Sequence, residues 1–211
     1  MTSSLRPLFH VAIVIAALPL FAQPVATNIE IGVGGGRMFG GSLPARTSPL
    51  FPASVIVDDG QMKGFWVEAN FPANWALQVA VRRTAATVVS TGGGLFPHRP
   101  ILAGIDVASV ETSILHTFGR RPFLPYVGIG GGLTNLDIDT QTPADQDSNR
   151  FGLSAAVGAK FYLLRHLGVV FDVRQRATYL GARTDGTGSW RDRRLWLRDP
   201  ELLAGVFIST R

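Results

Sequence analysis

The chain contains no cysteine, which excludes disulfide staples, thiolate metal sites and a lipidated cysteine anchor at the N-terminus. Charge is scarce as well. Asp, Glu, Lys and Arg make up 17% of 211 residues, where roughly 25% is usual for soluble domains, so part of the surface is expected to face something other than water. Beyond residue 22 no uncharged apolar stretch of about 18 residues occurs, so no transmembrane helix is expected. Helical periodicity is nearly missing too. Glycine, in contrast, is abundant at 24 residues. The excess of five basic residues is scattered, and no basic stripe interleaved with stacking aromatics runs along the chain, so no nucleic-acid partner is expected.

At the N-terminus, Arg6 precedes an apolar run from Val11 to Phe21 that ends in Ala22-Gln23-Pro24. That layout is a secretory signal peptide, too short to span a bilayer. The expected division is residues 1–22 removed after Sec export, with cleavage after Ala22, and residues 23–211 as a single domain.

Eight segments of roughly ten residues with period-two alternation follow. They run over Thr27–Met38, Lys63–Phe71, Trp75–Thr87, Ile101–Phe118, Phe123–Asp137, Arg150–Leu163, His166–Leu180 and Pro200–Thr210. Each is long enough for a tilted strand to cross a hydrocarbon layer. Their connections alternate strictly. Pro72-Ala73-Asn74, Gly119-Arg120-Arg121-Pro122 and Leu164-Arg165 are tight, whereas 39–62, 88–100, 138–149 and 181–199 are long and polar or rich in Pro and Gly. Short turns on one side and long loops on the other predict an all-β fold. It is an eight-stranded antiparallel up-and-down transmembrane β-barrel, with short periplasmic turns and long extracellular loops. Within the loop 39–62, Asp58-Asp59-Gly60 after Val55-Ile56-Val57 signals either an extra β-ribbon or the upper part of the second strand.

The faces support insertion in lipid. In the seventh segment Leu167, Val169, Phe171 and Val173 share one face, and Asp172, Arg174 and Arg176 the other, which is too charged for a dry core. Lipid as solvent puts the apolar face outside. Aromatics at segment ends, Phe71, Trp75, Phe118, Phe123, Phe161, Tyr179 and Trp196, fit an interfacial girdle. Hydrocarbon offers no partner to an open sheet edge, so the sheet must close. The glycines at 32, 34, 35 and 36, and at 128, 130, 131 and 132, fit strong curvature or lumen positions without room for a side chain. They lack the following Lys-Ser/Thr of a phosphate loop.

Three stretches carry a family resemblance. Pro122–Gly132 resembles the fifth strand of small outer-membrane β-barrel proteins of the OmpA-like superfamily, Phe151–Tyr162 running into Leu167–Arg176 looks like the sixth and seventh, and Phe65–Val81 is similar to the second hairpin. The resemblance implies residence in the bacterial outer membrane, passage through the barrel-assembly machinery and a monomer. The chain departs from it at its end: such barrels usually finish on an aromatic residue, and this one reads Val206-Phe207-Ile208-Ser209-Thr210-Arg211.

No constellation of residues predicts chemistry. His10 lies in the signal peptide, His98 in a loop, His166 at a turn and His116 near a strand end as a girdle residue. A lipid A-modifying barrel enzyme needs a Ser nucleophile, a His base and an acidic orienter together, and no His-x-Ser element is present. No catalytic residue, metal site or cofactor is expected. The inward charges Glu30, Glu68, Arg82, Asp106, Lys160, Asp172, Arg174 and Arg176 are expected to pair into a network plugging the lumen, since an unpaired charge there is costly. Arg191, Arg193 and Arg194, with Arg183, Arg198, Trp190 and Trp196, crowd the last loop and are expected to contact lipopolysaccharide phosphates. The function expected is thus a non-enzymatic structural or surface-interaction role among outer-membrane lipid. The alternatives are a soluble lipocalin-like carrier of an apolar ligand or a lipid A-modifying enzyme.

Overall fold

A computed structural model describes residues 28–40, 42–43, 54–91, 101–139, 148–181 and 195–210. The described residues form ten strands: β1 (Asn28–Met38), β2 (Ser42–Leu43), β3 (Ser54–Val57), β4 (Gly60–Asn70), β5 (Trp75–Thr91), β6 (Ile101–Thr117), β7 (Phe123–Asp139), β8 (Ser148–Tyr162), β9 (Leu167–Gly181) and β10 (Leu195–Ser209). Each of β4 to β9 pairs antiparallel with the next, and β1 pairs with both β4 and β10. The meander therefore closes on itself as an eight-stranded barrel. No backbone edge is left for hydrocarbon to meet.

The register fixes the barrel's stagger. Stepping between directly paired residues from Glu30 leads through Glu68, Gln78, Ser113, Gly130, Ser154 and Arg176 to Asp199. Because Met38 faces Glu201, the same register brings Asp199 opposite Gly40, ten residues further along β1. Such a stagger tilts the strands and leaves a bore that side chains can fill.

The alternation of faces is inverted relative to a soluble barrel. On β9, Phe171 and Val173 are exposed while Asp172, Arg174 and Arg176 are buried. On β8, Phe151, Leu153, Val157 and Phe161 point out, and Ser154, Lys160 and Tyr162 point in. At the turn end, Trp75, Phe118, Phe123 and Phe161 are exposed in a girdle, with the His116 ring between Trp75 and Phe118 at 4.6 and 4.8 Å. At the loop end, Tyr179 and Trp196 lie 5.3 Å apart.

Two boundaries differ from the sequence reading. The last strand begins at Leu195, five residues before Pro200. Proline can donate no ladder hydrogen bond, which makes it look like a strand start, yet its carbonyl accepts the Phe39 N–H at 2.8 Å. Of the two readings of Asp58-Asp59-Gly60, the segment is the upper part of the second strand and not a hairpin tip. Both β3 and β4 pair with the same strand β5, Val57 facing Val88 and Gln61 facing Ala85. The register slips by one residue between them, so this is a bulge in one continuous strand, with Asp58 N–H bonded to Thr87 O at 2.7 Å. The β2–β3 pairing then forms a short ribbon above it.

Candidate functional site

The inward row that defines the stagger is also the most polar row of the barrel: of its eight positions only Gly130 lacks a polar side chain. That exception has a steric cause, for a Cβ there would strike the side chains of Ser113, Glu111 and Ser154. Other inward glycines seat large neighbours in the same way. Gly32 and Gly205 make room for Trp66, Gly158 for Tyr126 and Gly168 for the Phe207 ring. A bore this narrow accepts large side chains only where the facing wall has none.

Two ion clusters occupy the bore. Toward the turn end, Lys160 Nζ lies 2.7 Å from Glu30 Oε2 and also bonds Glu68. Tyr162 donates its hydroxyl to Glu30, and Asn28 donates to the same carboxylate at 3.1 Å. Toward the loops, Arg174 pairs with Glu111 and, at 3.3 Å, with Asp172. Glu111 further accepts from Ser113 at 2.6 Å and Ser154 at 2.8 Å, and Tyr126 donates to Asp172 at 2.7 Å. Arg82 reaches Glu111 at 3.5 Å and Glu201 at 3.9 Å, and Glu201 also pairs with Arg176. Gln78 joins the two clusters, giving its amide N–H to Glu68 at 3.2 Å and accepting from Arg174 at 3.3 Å. The polar chain is thus unbroken from Asn28 to Arg176.

Of the charges expected inside, Glu30, Glu68, Arg82, Lys160, Asp172, Arg174 and Arg176 are buried in the bore. Asp106 is not. It stands on the outer face of β6 and takes a bidentate contact from Arg83, one arm at 3.0 Å, because the buried positions of β6 are the odd-numbered ones, Ile105, Val107, Ser109, Glu111 and Ser113. Three inward acids escaped the sequence reading: Glu111, Asp199 and Glu201. The signal for Glu111 was parity, since Ser109 and Ser113 lie two residues to either side of it on β6, and Glu201 shares its parity with Asp199 on β10. Arg191, Arg193 and Arg194 lie outside the described residues, as do His10, His98 and residues 1–22.

Below Tyr162, at the turn end, a cavity of about 420 Å³ opens among Asn28, Asn70, Asn74, Arg121 and Arg165. The Arg121 guanidinium lies 4.0 Å from the Tyr162 ring centre. Among the described residues no group of three His or carboxylate side chains is arranged to hold a metal ion.

The family model described as outer membrane protein beta-barrel domain matches residues 13–191. The chain belongs to this family. The barrel is therefore one of the bacterial outer membrane. Among solved structures, this outer-membrane barrel is similar to OprG from Pseudomonas aeruginosa, at 16% identity and a TM-score of 0.59 over 89% of this chain and 97% of that one. Neisserial surface protein A matches at 17% identity and a TM-score of 0.54, over 85% and 96%. Ail, the attachment invasion locus protein of Yersinia pestis, matches at 10% and 0.51, over 86% and 97%. At these identities the likeness is one of fold. Comparison with curated proteins finds no significant sequence match.

Proposed function

We propose that this outer-membrane barrel is a non-enzymatic, monomeric protein with a structural or surface-interaction role, its bore sealed to solutes. The observation that carries this reading is the unbroken chain of buried ion pairs and hydrogen bonds from Glu30 to Arg176. Each member is held by partners from other strands, so opening a path would leave charges stranded in a medium of low polarity. Residues 1–22 act as a Sec signal peptide, and the barrel-assembly machinery inserts the mature chain. Purified protein in a planar bilayer is expected to show conductance near zero, and a steady large conductance would overturn the sealed bore.

What the protein offers to its surroundings then lies at its loop end. Arg191, Arg193 and Arg194 supply planar donors suited to phosphate, and their partner in this reading is the phosphorylated core of lipopolysaccharide. Replacing all three with glutamine should weaken binding of complete lipopolysaccharide, and unchanged binding rejects the contact.

A further inference from the structure

Most of the outer face on β1, β4 and β5 is apolar, with Ile31 and Val33, Phe65 and Val67, and Val81 turned outward. Toward the loops each of these three adjacent strands changes to a cation: Arg37 on β1, Lys63 on β4 and Arg83 on β5, all exposed. Lys63 and Arg83 are direct cross-strand partners, so their Cβ atoms stand about 5 Å apart, where like charges repel. Arg37 has Asp59 at 3.4 Å and Arg83 has Asp106. Lys63 has no ion pair among the described residues.

The stagger makes the arrangement more unusual. Ten residues over eight strands raise each successive strand relative to its predecessor, so the early strands carry their cations nearer the membrane centre than the late strands carry Tyr179 and Trp196. On the far wall the depth of Lys63 and Arg83 is still apolar, with Leu133 58% and Phe151 50% exposed. A lipid belt of uniform thickness cannot suit both walls. An anion drawn down on the β1–β4–β5 side resolves both the repulsion and the mismatch.

We propose that Lys63 and Arg83, flanked by Arg37, form a binding site on the barrel wall for a phosphate of an outer-leaflet glycolipid. The phosphate bridges the two opposed cations while its acyl chains lie along Phe65, Val81 and Val33 below. The proposal rests on the outer-membrane setting and not on the loop arginines.

Native mass spectrometry of the purified barrel in neutral detergent, titrated with bisphosphorylated lipid A, tests it. The wild type should retain lipid A, and K63Q/R83Q should bind about tenfold more weakly. D106N, which removes the negative charge facing Arg83, should bind more tightly. R191Q/R193Q/R194Q should bind lipid A as the wild type does, which separates this site from the loop contact. Equal retention of dephosphorylated lipid A, wild-type binding by K63Q/R83Q, or displacement by an equal concentration of inorganic phosphate would each overturn the proposal. Lys63 and Arg83 are exposed, and retention of barrel structure by circular dichroism shows that a loss is one of binding.

Discussion

Lys160 shows how single residues hold this bore. One ammonium serves two carboxylates, Glu30 and Glu68, which are themselves cross-strand partners on β1 and β4. Without it two buried like charges face each other with no cation between them. Truncating one member of a buried ion group costs about 3–5 kcal/mol, whereas replacing the whole group with neutral side chains of similar volume is often close to neutral. Lys160→Met alone should therefore destabilise the barrel by that amount in urea titrations in lipid vesicles. Adding Glu30→Gln and Glu68→Gln to it should recover most of the loss. If the triple variant is as unstable as the single one, the cost lies in packing around Phe207 and not in charge.

At the scale of strands, what could be read from the sequence followed amphipathic contrast. β8 and β9 place bulky apolar residues on one parity and Lys160, Asp172, Arg174 and Arg176 on the other, so their faces were plain. β6 offers no such contrast: its inward Ile105, Val107 and Leu115 are as apolar as its outward Val110 and Ile114. A charge taken as the marker of the inside then chose Asp106 and passed over Glu111. The physical reason is that an outward carboxylate near the headgroup level can pair along the wall, as Asp106 does with Arg83, so charge alone does not report the face. In β10, Pro200 hid the first five residues and with them Asp199. Glycine was more informative than any charge, because inward glycines mark where Trp66, Tyr126 and Phe207 must fit; which glycine meets which ring depends on register, which a single strand does not encode.

For the whole molecule the decisive contact is the seam between β1 and β10, the pairing most distant in sequence. Its register sets the stagger, since a shift there would change where Glu201 stands relative to Arg82 across the bore, while the Asp199–Arg176 pairing is held by the β9–β10 ladder. Val33 and Val206 face each other across the seam, both pointing at lipid, and the chain has no native cysteine. Cysteines at these two positions, with Cβ atoms about 5 Å apart in a directly opposed pair, should be joined by oxidation or a short bis-maleimide in intact membranes. Val33 and Val157, outward on well-separated strands, should not be joined under the same conditions. Once denatured, the seam-linked chain contains a large covalent loop and should migrate apart from the uncrosslinked chain in gels. Equal linkage of both pairs, or of neither, would mean that the sheet is not closed in this register, and the sealed bore and the wall-borne phosphate site would lose their geometric basis together.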